Sequence, residues 1–406
     1  MQRACVILAE SPAACMELCG ITVLERLLRT LERCGHTRVV ILSSTPGAIA
    51  SRSRPGFTID LLPRPAGRVT LEQILAVWPE SVRDLLILPG DSVFDDRLLR
   101  ALEQQNASVA LVDSGVGTRL QICGPALLSR SWASAEMGPF DEAIAEAVQK
   151  RTIALLDVND LPSYSATLRR ELRPFWFPAP APQDKKTTER ILLNAAQKGT
   201  LDLPALVHAP IETFLVASLC QTSITPNQLT VFCNLVAWLA TLCFATGALA
   251  WGITLALAVG VLDGLDGKQA RVKVETSEGG KLEHWFDALF EFSWWFALAY
   301  YFRTSGQLPG AFGYLLLLLL AEALDLAAKG SIVFTQKRLI DELSRFDRLV
   351  RLLGGRRNIY VWILAAGLLL GAPAKAFIVI AWWEVMTALV HVPRAAWVLW
   401  KSQREL

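Results

Sequence analysis

Charge is scarce in this chain: only 19% of its 406 residues are Asp, Glu, Lys or Arg. A soluble globular protein carries about 25%, so this balance argues against an all-soluble chain. None of the eight cysteines (5, 15, 19, 34, 123, 220, 233, 243) falls in a C-x-x-C pair. They read as reduced core or membrane residues rather than a disulfide framework. The first thirty residues lack a basic stretch followed by an apolar run, so no cleaved signal peptide is expected. A net charge of +2 leaves neither the basic excess of a nucleic-acid binder nor an acidic disordered tail. What the chain has in quantity is apolar residues, 52% of the total, and its length suggests two or three domains.

The apolar residues are unevenly placed. Residues 5–9 (CVILA), 39–42 (VVIL), 85–88 (LLIL) and 109–112 (VALV) are short runs that suit buried parallel strands. Between them lie helical stretches such as 24–33, with Leu24, Leu27, Leu28 and Leu31 on one face. Strands alternating with helices imply a Rossmann-like α/β domain over 1–172. A Pro-rich linker follows (173–182, RPFWFPAPAP), then a connector helix over 187–196, so 173–205 reads as linker. An apolar stretch broken by Pro210, within 206–225, is expected to lie along the membrane interface. The remainder, 226–406, reads as an all-α membrane domain of six spans, roughly 227–247, 249–264, 281–302, 310–334, 358–372 and 375–399. Ten of the thirteen tryptophans lie beyond residue 237, as expected of interfacial anchors. Seven basic residues in 335–357 and three in the loop after span two put both termini in the cytoplasm by the positive-inside rule. The expected location is a multi-pass inner membrane protein.

The chemistry lies in 262–291, LDGLDGKQARVKVETSEGGKLEHWFDALFE. Asp263 and Asp266 are one turn apart, and Glu283 and Asp287 are four apart, so each pair shares a helix face. Four carboxylates gathered at a membrane surface repel one another unless cations bind them. Hard oxygen ligands of this kind suit two Mg²⁺ or Mn²⁺ ions, which can clamp a diphosphate. Gly264, Gly267 and Ala270 leave the helix without bulk for a base or phosphate to approach, and Arg271 can hold a phosphate. Glu322, Asp325, Lys329, Glu384 and His391 lie in or near the spans, where ionisable groups are costly and read as functional. Asp325 and Lys329, four apart, also read as a simple pair.

This segment resembles the signature of the CDP-alcohol phosphatidyltransferase superfamily, D-x-x-D-G-x-x-A-R-x8-G-x3-D-x3-D, and 225–230 (TPNQLT) resembles the segment that opens its first span. The resemblance covers about 188–400. It implies transfer of a phosphoalcohol group from a CDP-alcohol donor to a hydroxyl on a lipid or polyol-phosphate acceptor, with release of CMP at a two-metal site. Strict spacing after Arg271 gives Gly280, His284 and Ala288. A gap one residue shorter gives Gly279, Glu283 and Asp287 and keeps two carboxylates. In that preferred register Asp287 is the general base and the fourth metal-binding acid, and Gly279 joins the donor site. His284 then reads as an acceptor contact or an interfacial residue. Arg356 and Arg357 read as positive-inside anchors or as contacts to an acceptor phosphate.

Residues 5–28 resemble the first strand, loop and helix of sugar-phosphate nucleotidyltransferases. In that family the loop is G-x-G-x-R followed by Lys, and its amides cradle a triphosphate. Here Glu10, Pro12 and Ala13 stand instead, so an inactive nucleotidyltransferase-like domain is expected. Asp91 and Asp157 sit where the resemblance puts metal-binding aspartates. Together the halves resemble the bifunctional inositol-1-phosphate cytidylyltransferase/di-myo-inositol-phosphate phosphate synthase architecture. That bifunctional activity and a non-catalytic membrane scaffold remain the alternatives to a phosphotransferase fed with CDP-alcohol made elsewhere. A transporter is disfavoured by the lack of inverted repeats. Homodimerisation is left open.

Overall fold

In a computed structural model, described over residues 4–49, 55–64, 67–115, 120–275 and 280–404 without the side chains of Ala48 and 280–287, the chain forms two units. One comprises Met1–Ala196, Cys220–Thr222 and Arg271–Thr276; the other comprises Gln197–Leu219, Ser223–Ala270 and Ser277–Leu406.

The first unit is α/β. Its strands are β1 (Ala4–Ala9), β2 (Arg38–Ser43), β3 (Thr58–Pro63), β4 (Asp84–Pro89), β5 (Ser92–Phe94), β6 (Val109–Asp113), β7 (Gln121–Ser129), β8 (Ala154–Asp157) and β9 (Trp176–Pro178). Seven of them form one sheet in the order β8-β6-β7-β4-β1-β2-β3. The four apolar runs are β1, β2, β4 and β6. β1 is parallel to β2 and β4, and β6 is parallel to β8. Alternation then buries both faces: Cys5 and Ile7 point to one side, Val6 and Leu8 to the other. Helices α1 (Val23–Arg33), α2 (Leu71–Val77), α3 (Asp96–Glu103), α4 (Arg130–Ala135) and α5 (Phe140–Lys150) cover them. α1 starts because Thr22 caps it, accepting from the Glu25 amide at 3.0 Å. Its Leu24, Leu27, Leu28 and Leu31 are buried as their spacing requires.

β7 is antiparallel to both neighbours. The Gly124–Pro125 pair argues against a central strand. Gly124 has φ +101°, and the β6–β7 register shifts between Ala110 and Val112, so a bulge absorbs the proline.

The Pro-rich stretch is not a free linker. β9 pairs antiparallel with β5, the Asp95 amide donates to Phe175 O at 2.9 Å, and the Ala179 amide donates to Asp91 O at 2.7 Å. Prolines fit an edge strand, and the first compact unit runs to Ala196, past α6 (Lys185–Ala195).

The second unit is helical: α7 (Ala205–Leu219), α8 (Pro226–Ala245), α9 (Leu249–Val272), α10 (Gly280–Thr304), α11 (Ala311–Gln336), α12 (Arg345–Leu353), α13 (Arg357–Leu369) and α14 (Pro373–Arg404). α8 begins with a Thr225/Gln228 capping box and Pro226 in its first turn. α7 runs through Pro210 rather than breaking there; a proline costs one backbone bond, which a packed helix can sustain. Among the described residues four helices, α8, α9, α11 and α14, are long and apolar enough to cross a bilayer. α10 has 25 residues, whereas α13 has 13, about 20 Å at 1.5 Å per residue. The six-span count therefore goes beyond these four helices. The unit's core is aromatic, with Phe244, Phe290, Trp294, Trp295, Phe302 and Phe377 buried. Leu242, Leu320, Leu324, Met386 and Leu389 are exposed on its outside, the pattern of helices solvated by lipid.

Candidate active site

The motif residues lie at the end of α9, which continues two turns past the expected limit at 264 and so carries the whole first half-motif in one helix. Asp266 is 5% exposed. The Thr230 hydroxyl donates to its Oδ2 at 2.6 Å. The two sequence segments singled out separately, TPNQLT on α8 and LDGLDG on α9, thus meet at one carboxylate. Asp263, further out, forms an ion pair with Arg357 at 2.6 Å, and the Arg357 guanidinium lies 4.9 Å from the Phe290 ring centre. Arg357 therefore faces a motif acid. Arg356 turns instead to Asp202 at 3.8 Å and to the Leu201 carbonyl.

Gly264 faces α7. The room it leaves is taken by Glu212 of α7: a Cβ there would lie 2.4 Å from the Glu212 Oε1. One turn earlier, a Cβ on Gly260 would lie 2.8 Å from the His208 ring. The glycines at 260 and 264 let α7 approach closely, and His208 and Glu212 share their spacing of four. Burial lowers the His208 pKa below the ordinary imidazole range, with Asp202 opposing. Lys268 and Gln269 are fully buried. The Lys268 ammonium donates to Thr213 Oγ1 at 2.5 Å and to Gln197 Oε1, and Gln269 Nε2 donates to Ile224 O at 2.5 Å. Both motif "x" positions thus fasten α9 in place. The Arg271 Nε donates to Ala196 O at 2.7 Å. Gly267 and Ala270 stand on α9 as expected.

Gly279 lies outside the described residues, as do the side chains of Glu283, His284 and Asp287, although α10 carries their backbone. Asp263 and Asp266 offer hard oxygen donors from one helix face, and this donor chemistry fits Mg²⁺ or Mn²⁺.

In the first unit, Gly90 is required by packing: a Cβ would lie 3.0 Å from Ile7 Cγ2 and 3.2 Å from Leu8 O. The neighbouring Asp91 follows β4. Asp157 caps its own turn, accepting from the Asn159 amide at 2.9 Å and the Ser114 amide at 3.3 Å. Sequence reading missed Asp113, which pairs with Arg173 at 2.6 Å and accepts from the Trp176 indole at 3.1 Å. Burial raises its pKa, but the Gly115 amide, Trp176 and Arg173 outweigh that and hold it below the ordinary range. Its partners come from the stretch read as linker, which hid the signal. In the Glu10–Ala13 loop, Ser11 accepts from the Ala13 and Ala14 amides at 3.1 Å, and Glu10 accepts from the Val69 amide at 2.7 Å. The Ala13 and Ala14 amides of this loop are thus engaged within the loop itself.

A family model described as CDP-alcohol phosphatidyltransferase matches residues 223–390. The chain is similar to a Rubrobacter xylanophilus protein named bifunctional IPC transferase and DIPP synthase, 25% identical over 90% of this chain and 88% of that one. A Thermococcus kodakarensis protein of the same name is 24% identical over 72% of this chain and 73% of its own. Among solved structures, the inositol-1-phosphate CTP transferase from T. maritima covers 45% of this chain and 91% of its own at 13% identity and TM-score 0.34. A manganese complex of a Mycobacterium tuberculosis protein covers 39% and 87% at 16% identity and TM-score 0.32. Residues 223–390 thus match the CDP-alcohol phosphatidyltransferase domain model, and the chain is a transferase whose long apolar helices mark it as a membrane protein.

Proposed function

We propose that the protein moves a phosphoalcohol group from a CDP-alcohol to a hydroxyl acceptor, lipid or polyol phosphate, and releases CMP. The observation that carries this reading is the buried Asp266, held by Thr230 from the other signature segment. Asp263, Asp266, Glu283 and Asp287 would hold two divalent ions, in keeping with a metal-dependent family; bound there, Mg²⁺ or Mn²⁺ supplies neutralisation of the diphosphate charge. Gly267, Ala270 and Gly279 leave space for the donor, and Arg271 pairs with a phosphate oxygen. The acceptor oxygen attacks the phosphorus that bears the alcohol. The bond from that phosphorus to the CMP oxygen breaks, CMP keeps the electron pair, and the hydroxyl proton passes to Asp287. The chain is proposed to cross the inner membrane six times with both termini cytoplasmic. The domain limits that accompany this are a first unit to about 196, α7 at the interface, and the transferase from 226.

The test is CMP release by the purified full chain. Asp263→Asn and Asp266→Asn are each expected to lose roughly 10⁴-fold while keeping the wild-type melting temperature. EDTA should stop turnover, and Mg²⁺ or Mn²⁺ should restore it. Full activity in either variant, or turnover indifferent to EDTA, would remove the two-metal reading.

A further inference from the structure

The second unit contains a cavity of about 470 Å³ that the transfer chemistry above does not use. Its polar wall gathers Glu291 of α10, Glu322 and Asp325 of α11, Tyr360 of α13 and Glu384 of α14. Phe292 and Leu319 form part of the apolar remainder. Ionisable groups inside a membrane bundle are costly and persist where they face water or a ligand.

The groups differ in how far they are already satisfied. Asp325 is paired twice, with Lys329 at 2.5 Å and with the buried His391 at 2.5 Å. Arg356, also on the wall, reaches out to Asp202. Glu384, 2% exposed, accepts the Tyr360 hydroxyl, and Gly355 has no side chain because a Cβ would collide with that pair. Glu322 Oε2 is buried with no hydrogen-bond partner among the described residues. The donors on this wall, Lys329, Arg356 and the Tyr360 hydroxyl, are already engaged by Asp325, Asp202 and Glu384, so a partner for Glu322 has to come from a ligand. The wall carries four carboxylates against two cations, Lys329 and Arg356. A phosphate placed here would meet more acidic groups than cations, and both cations already face carboxylates. An uncharged polyol supplies several O–H donors in a small volume and adds no charge. The volume lies within the range of small-molecule sites, about 300–1,000 Å³.

We infer that this cavity binds the uncharged, hydroxyl-rich part of the acceptor, with Glu322, Glu384 and Tyr360 as its specificity-determining residues. The inference rests on the transferase reading for its link to catalysis. Glu291 stands one turn beyond Asp287 on α10, on the same helix face, so a hydroxyl of a polyol held here lies toward the residue that takes its proton. Any phosphate the acceptor carries sits outside the cavity.

The experiment measures saturable binding of tritiated myo-inositol and glycerol to the detergent-purified full chain, with inositol phosphate and ethanolamine as competitors. A parallel arm uses nanodiscs with and without phosphatidylglycerol, whose headgroup is a lipid-borne polyol. At least one neutral polyol should bind to the wild type and to Asp266→Asn alike, which separates this site from the metal site. Glu322→Gln and Glu384→Gln should each weaken that binding at least tenfold and raise the acceptor KM while leaving the CDP-alcohol KM unchanged. Leu319→Trp, which fills the cavity, repeats the test should a Gln variant fail to fold. Displacement by phosphatidylglycerol would support the site and assign it to a lipid headgroup; displacement by soluble polyols alone would support it and assign a free one. Absence of polyol binding, preference for ethanolamine over neutral polyols, or Gln variants that shift only the CDP-alcohol KM would each overturn the inference.

Discussion

At the scale of single residues, the second half of the signature is where two registers compete. Glu283 and Asp287 share a face of α10, and His284 is rotated about 100° from Glu283. If the shorter register holds, Glu283→Gln and Asp287→Asn each lower kcat by roughly 10³-fold or more, and His284→Ala costs far less. The strict register requires the opposite, sensitivity at His284 and indifference at Glu283. Steady-state kinetics on the three purified variants decide between them. The first half-motif was legible because its spacing is helical and its residue types are chemically demanding. Thr230 was quoted within a segment but given no partner, since nothing local says that a hydroxyl on α8 meets a carboxylate on α9. Glu212 was invisible for the opposite reason: Gly264 was read as room for a ligand, when a spacing of four shared with Gly260 also signals a packed helix.

Elements carry their own tests. α12 is fastened to α14 by Asp347, 1% exposed on its side chain, which receives the Arg394 guanidinium on both oxygens at 2.9 Å. Burial raises the Asp347 pKa, but the bonds from Arg394 and Ser344 outweigh it and hold it below the ordinary range. A depressed carboxylate contributes stability that is present above its unfolded pKa, about 3.9, and is lost as pH falls through the folded value. The melting temperature of the full chain in detergent should therefore drop below about pH 4. Asp347→Asn should lower it at pH 7 by the equivalent of about 1–3 kcal/mol and flatten that acid dependence; a variant with an unchanged acid limb would show that the pair is idle. Elements were most legible where periodicity was strong, as in α1 and the four apolar runs. β7 and β9 were hidden by prolines that local rules assign to loops, and only tertiary pairing supplies the bulge and the edge that accommodate them. The α13 segment reads as a span by composition, yet its helix ends at Leu369, ahead of Gly371 with φ +68°.

For the whole molecule, one question is whether the α/β unit makes the donor that the membrane unit consumes. Ser11, Glu10, Asp113 and Asp157 all bind partners within their own unit, so the full chain given CTP and inositol 1-phosphate or a sugar 1-phosphate should form no CDP-alcohol, detectable by release of pyrophosphate. Robust CTP-dependent product would reverse that reading. Fold class and the division into α/β and membrane halves were legible because hydrophobic content changes sharply along the chain. The boundary at 196 was not, because it depends on which sheet edge claims the Pro-rich stretch. The ion pair between Arg357 and Asp263 has a consequence for biogenesis. A membrane domain that brings acidic ligands together before its metal arrives faces self-repulsion during insertion, and Arg357 supplies a resident counter-ion at that stage. Under the proposed two-metal reading, metal loading is an exchange of one cation for another, and assembly and activation are separable steps. Arg357→Gln should bind Mn²⁺ roughly tenfold more tightly by electron paramagnetic resonance, since about 1.4 kcal/mol of competition is removed, yet melt lower than the wild type when metal-free. Unchanged Mn²⁺ affinity would mean that the arginine only anchors the helix, and that the protein must meet its metal while it is still folding.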